Sequence, residues 1–94
     1  MKFIEMKFLI SGRVQGVGFR HFTKTNARQM GVTGWVRNLP EGDVETLLQG
    51  EEKKVLEMAG LLRDGPLTAK VDTLKLVHKE ENPQDVKDTF QVIR

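Results

Sequence analysis

The hydrophobic period of this chain changes across one glycine-rich stretch, and that change constrains the fold more than any other feature. Residues 3 to 11 alternate: Ile4, Met6, Phe8 and Ile10 share one face, with Glu5, Lys7 and Ser11 on the other. A period of two is the signature of a strand with a buried face. Phe3 and Leu9 break the alternation, which places this strand inside a sheet, partly covered on both sides. Gly12, Gly16 and Gly18 then crowd together, and glycine supplies backbone angles that other residues avoid. Beyond them Phe19, Phe22, Thr23, Asn26, Ala27 and Met30 recur at helical spacing, and Gly31 stops the run. The opening segment reads as strand, special loop, and a helix from about Arg20 to Met30.

The remainder continues in the same style. Val32 to Asn38 and Asp43 to Gln49 read as strands, joined through the turn Leu39-Pro40-Glu41-Gly42. Glu51 to Arg63 reads as a second helix with Val55, Met58, Ala59 and Leu62 as its apolar stripe. Acids open it and Asp64-Gly65-Pro66 closes it. Val71 to Lys79 is a fourth strand in which Leu74 and Leu76 alternate with polar neighbours. Glu80 to Lys87 reads as a polar turn, and Thr89 to Ile93 as a short last strand. The order β-α-β-β-α-β plus a terminal strand predicts an α+β fold. It is the ferredoxin-like split βαβ sandwich, an antiparallel sheet with two helices on one face. At 94 residues the expectation is one domain, 1–94.

Composition removes several function classes. With no cysteine there is no disulfide framework, thiolate zinc site, metallochaperone thiol pair or cysteine nucleophile. His21 and His78 stand far apart in sequence and form no ligand-spaced pair. Fifteen basic against thirteen acidic residues give +2, too weak a balance to argue for nucleic acid. An RNA-binding module of this architecture would stack bases on outward aromatics of its central strands. Here Val44 to Leu48 carries no aromatic, and only Phe3 on the first strand could serve. No apolar run is long enough to span a bilayer, and the alternating start is not a signal-peptide block. The expectation is a monomeric cytoplasmic protein with no cofactor, no metal, and no nucleic-acid or membrane partner.

The chemistry-bearing stretch is Gly12-Arg13-Val14-Gln15-Gly16-Val17-Gly18-Phe19-Arg20. A glycine-rich turn points successive backbone N–H groups into one concavity, and a helix N-terminus adds its own unpaired donors. Phosphate fits such a cradle, and the planar fork of Arg20 could grip two of its oxygens. No Gly-Lys-Ser/Thr follows, and the glycine spacing is not that of a dinucleotide fingerprint. Taken alone, glycines between a strand and a helix more often serve a tight turn. An arginine on a helix is more often simply solvated.

A second segment, Gly34-Trp35-Val36-Arg37-Asn38-Leu39-Pro40-Glu41-Gly42, changes that balance. Together the two segments resemble the acylphosphatase family. Its V-Q-G-V-x-F-R loop is present as Val14 to Arg20, with Gly18 in the variable place. Its G-x-V-x-N strand is present as Gly34 to Asn38, with Gly42 in the following turn. The resemblance extends to Leu48-Gln49-Gly50 and to the closing Phe90 to Arg94, so it covers nearly the whole chain. It implies a hydrolase that cleaves the carboxyl–phosphate bond of a small acylphosphate. In such enzymes the loop amides and the arginine bind phosphate while the asparagine positions the attacking water. Carried onto this chain, those are the backbone of Gln15, Gly16, Val17, Gly18 and Phe19, together with Arg20 and Asn38. Leu39 stands where many members have threonine, so a hydroxyl at that place is lost or unneeded.

This chemistry asks for little else. The leaving group is a carboxylate, which departs without a strong general acid. The transition state at phosphorus is loose, with charge spread over the equatorial oxygens. The enzyme has to grip those oxygens and place a water in line. No histidine–carboxylate pair, metal cluster or activated nucleophile is evident near the loop, as expected for an activated substrate. A substrate phosphate oxygen is then the expected acceptor of the water's proton. An anion-sensing domain without turnover is the alternative on the same cradle.

Overall fold

The computed structural model describes residues 2–94. Its elements are β1 (Phe3–Arg13), α1 (Phe19–Met30), β2 (Thr33–Asn38), β3 (Val44–Glu51), α2 (Glu52–Asp64), β4 (Lys70–Glu81) and β5 (Phe90–Ile93). They form a five-stranded sheet of order β4-β1-β3-β2-β5. β1 pairs antiparallel with both β3 and β4, and β2 pairs antiparallel with β3. This is the ferredoxin-like α+β arrangement the periodicity predicts.

The alternation of β1 decides which face is covered. Ile4, Met6, Phe8 and Ile10 are buried beneath the helices. Phe3 and Leu9, on the other face, are half-buried. From above, α1 buries Phe19, Thr23 and Ala27, and α2 buries Val55, Met58 and Leu62. The Thr23 hydroxyl satisfies itself within the helix by donating to the Phe19 carbonyl at 2.8 Å. Gly34 is required for a different reason, because φ is 133° and a Cβ there would stand 1.9 Å from the Leu47 carbonyl oxygen. The β2 backbone lies closer to β3 than any side chain allows.

Two features depart from the sequence expectation. The polar turn expected from Glu80 begins later, because β1 continues to pair with β4 as far as Ile4 opposite Glu81. Backbone pairing along an edge needs no apolar side chains, so composition gives no sign of it. The pairing also shifts between Lys7 and Phe8 and between Ser11 and Gly12, leaving Val77 and Asp72 of β4 as extra residues. Bulges bend an edge strand, and here Leu76 and Val77 stay exposed. The last strand adds a second departure: β5 joins β2 in parallel, which makes the sheet mixed. β4 and β5 lie at opposite edges of the sheet, and residues 82–89 join them by passing over the helix-free face, where the Gln49 side chain holds Asp85 and Lys87.

The short β5 still closes the core. Phe90 is fully buried, and the Arg28 guanidinium donates twice to its carbonyl, at 3.1 and 2.9 Å. Phe90→Ala is expected to lower stability by roughly 3–5 kcal/mol, whereas Ile93→Ala should cost well under half of that. Urea unfolding followed by circular dichroism would measure both, and equal small losses would show that β5 does not seal the core.

Candidate active site

β1 and β2 each run antiparallel to β3, so both end at the same end of the sheet. The register is explicit: Ile10 and Asn38 face Val44 from its two sides. Two ladder spacings therefore separate them, about 10 Å. Asn38 shares the helix-side face with Gly34 and Val36, by the alternation along β2. The loop leaving β1 and the first turn of α1 occupy that same side.

The loop is held at both ends by apolar burial. Val14 and Phe19 are each 1% exposed. Between them Gly16 has φ 74° and Gly18 has φ 81°, both left-handed, and a Cβ at either place would meet nothing within 4 Å. The glycines are thus demanded by backbone angle and leave the loop surface open. Gly18 is the N-cap of α1, with no side-chain cap and no acid in the first turn. The N–H groups of Gly16 through His21 have no backbone acceptor among the described residues. Unpaired N–H groups at a loop-to-helix junction are an anion-binding arrangement. Arg20 is half-buried within this stretch and makes no ion pair among the described residues.

The second half of the site is tied to the first by one side chain. The Gln15 amide nitrogen donates to the Leu39 carbonyl at 2.8 Å and to the Asp43 carbonyl at 2.9 Å. The turn is closed from within by Leu39 N–H to Asp43 at 2.8 Å and Gly42 N–H to Leu39 at 3.1 Å. Gln15 therefore offers the cradle only its backbone, because its side chain is committed to the hairpin. Asn38 lies immediately before that hairpin. Its Oδ1 is buried and has no hydrogen-bond partner among the described residues. A buried carbonyl acceptor normally has a donor, so this atom is ready for a ligand that brings one.

Sequence reasoning missed one support. The Thr68 hydroxyl donates to the Val17 carbonyl at 2.6 Å, pinning the middle of the loop from the α2–β4 connection. Thr68 lies in no motif, and its contact spans a separation that local patterns do not encode. His21 is exposed on α1, Glu41 is exposed, and Asp43 is half-buried. A groove of about 880 Å³ lies on the helix-free face and includes no residue of the loop. The open donors of the loop are backbone N–H groups, an arrangement suited to a phosphate group.

Comparison with known proteins follows the same lines. The acylphosphatase family model matches residues 6–92. A protein of Syntrophotalea carbinolica named acylphosphatase is 44% identical over 92 residues, covering 98% of each chain. Another of that name, from Thermococcus kodakarensis, is 41% identical over 93 residues, covering 99% of each. The crystal structure of acylphosphatase from Bacillus subtilis superposes with a TM-score of 0.90 at 27% identity, covering 97% of this chain and 99% of that one. No helix among the described residues is long and apolar enough to cross a membrane.

Gln15→Met should keep the fold and cost roughly 1–3 kcal/mol, the net worth of its two hydrogen bonds to carbonyls that keep their backbone donors. A shift in the urea midpoint at unchanged slope would report it. A wild-type midpoint would mean that Gln15 does not tie the loop to the hairpin.

Proposed function

The chain belongs to the acylphosphatase family, whose reaction is hydrolysis of the carboxyl–phosphate bond of acylphosphates, and we propose that Arg20, Asn38 and the backbone from Gln15 to Arg20 carry out that reaction here. The observation that carries this reading is the unpartnered, buried Oδ1 of Asn38 on the same side of the sheet as the open N–H groups of the loop.

The phosphate dianion of the substrate sits against the backbone N–H groups from Gln15 to Arg20, with the Arg20 guanidinium across its oxygens. These donors oppose the charge on the equatorial oxygens, and they are in place before reaction. Asn38 Oδ1 accepts a hydrogen bond from a water, whose O–H bond stays intact, and holds it opposite the carboxylate leaving group. Attack forms the new phosphorus–oxygen bond as the bridging bond breaks. The electron pair of the broken bond leaves with the carboxylate. The water's second proton passes to a phosphate oxygen, so no enzyme carboxylate is needed as base. No covalent intermediate and no metal take part. Leu39 lines the turn without a hydroxyl and adds no further contact to the water.

Recognition through the phosphate group leaves the acyl group outside, which suits a range of small acylphosphates. We place the protein in the cytoplasm as a monomer formed by one domain, 1–94, acting without a nucleic-acid partner. The near-balanced charge, +2 overall, supports the absence of a nucleic-acid partner.

Hydrolysis of benzoyl phosphate, followed by absorbance in the presence of EDTA, tests the mechanism. Arg20→Gln and Asn38→Ala should each lower kcat/KM by about 10²–10³-fold while circular dichroism stays native. Glu41→Gln and Asp43→Asn should retain the wild-type rate. Full activity in a folded Arg20→Gln or Asn38→Ala protein would sink the assignment, as would a loss of wild-type activity to the chelator. Inorganic phosphate should inhibit competitively, and failure to do so would remove the cradle from the mechanism.

A further inference from the structure

The helix-free face of the sheet carries a second cluster of functional side chains, remote from the phosphate loop. In the β1–β4 ladder Glu5 lies opposite Glu80 and Lys7 lies opposite His78. His78 and Glu80 are two residues apart, so they project from the same side of β4, toward Glu5. The His78 Nε2 stands 2.9 Å from the Glu5 Oε2 and 3.5 Å from the Glu80 Oε1. One potential ligand atom from each of the three residues lies within 4.8 Å of the others. Tetrahedral zinc, with bonds near 2.0–2.1 Å, separates its ligand atoms by about 3.3 Å. The two separations from His78 Nε2, 2.9 and 3.5 Å, lie on either side of that value.

Three further observations point to a cation. Glu5 and Glu80 are directly opposed like charges, an arrangement that destabilises a ladder unless positive charge lies between them. Lys7, the ladder neighbour opposite His78, does not fill that role. The Lys7 ammonium turns the other way across the sheet and lies 5.7 Å from the centre of the Trp35 ring. The inward carboxylate is also held in place from behind. Glu5 Oε1 accepts from the Gln49 side chain at 2.7 Å, and Gln49 is 1% exposed. The same amide donates to the Asp85 carbonyl at 2.7 Å, and its oxygen accepts from the Lys87 N–H at 2.8 Å. Every polar atom of Gln49 is thereby engaged. A fixed outer-shell donor on one carboxylate oxygen, with the other oxygen turned toward the His78 ring, is how metal sites orient their ligands.

We propose that Glu5, His78 and Glu80 bind a divalent first-row transition ion of the zinc class, clamping the edge strand β4 to β1. One imidazole and two carboxylates suit such an ion, and the exposed side of the cluster leaves a coordination position for water. His78 ligates through the lone pair of Nε2. Any proton on that nitrogen leaves for solvent when the metal enters. The site shares no residue with the phosphate cradle, so its role is to secure the sheet edge and not to assist the reaction.

The test uses the full chain stripped with EDTA, dialysed, and titrated with zinc chloride or cobalt chloride. Zinc at about one hundred times its dissociation constant should raise Tm by roughly 10 °C. Cobalt should give a saturable visible band with one ion per chain. His78→Asn and Glu80→Gln, both at exposed positions, should fold normally and weaken binding by at least about tenfold. His21→Asn should bind as wild type does. A zinc-dependent rise in Tm that is equal in wild type and His78→Asn would overturn the proposal. So would the absence of any cobalt band in the wild-type protein.

Discussion

Two hydrogen bonds from the Gln15 amide join the two halves of the site, and the rest of its geometry depends on them. The sheet alone brings the ends of β1 and β2 to a common level, with Val44 between them. Strand ends are where a sheet is least constrained, and a glycine-containing loop adds freedom of its own. The amide removes that freedom by binding the carbonyls on either side of the turn. Val14 and Phe19 anchor the loop from below, and Thr68 holds its centre. A backbone-built cradle stabilises a transition state only if its donors are already in position. The supporting side chains are engaged with the protein itself, which leaves the loop N–H groups without a backbone acceptor.

Much of this was legible in the chain. The change of period at Gly12 to Phe19 located the loop, and the alternation of Ile4 to Ile10 chose the buried face. Both are local patterns, and local patterns survive in a linear reading. The paired motifs around Arg20 and Asn38 carried the family, which the comparisons show. The hidden parts are those that depend on register. The extension of β4 to Glu81 follows from backbone pairing with β1, which leaves no compositional trace. The direction of the Gln15 side chain, toward the hairpin, is set by an acceptor pair on a distant turn. Thr68 has no signal in its own neighbourhood.

The two faces of the sheet illustrate how differently one ladder can be used. On the helix side, β1 contributes four large apolar residues to a dry core. On the other side, the same strand presents Glu5 and Lys7, each with a separate task. Lys7 and Arg37 flank the Trp35 ring at 5.7 and 5.3 Å, so this aromatic serves as a platform for cations. Glu5 belongs instead to the pair formed with His78. In sequence His78 is isolated from every carboxylate of β1, and only the antiparallel register brings it to Glu5.

The position of Phe90 bears on how the protein is made. The core contains this residue from the last strand, and β1 from the start of the chain must pair with β4 near its end. Neither contact exists while the latter part of the chain is still inside the ribosome. The nascent segment that emerges first carries the apolar side of β1 and the unfilled place of Phe90, with nothing yet to cover them. Folding with such distant partners is governed by chain closure rather than by local nucleation. Acquisition of structure therefore waits until β4 and β5 have emerged, and the interval before that is when the chain is most open to association with its neighbours.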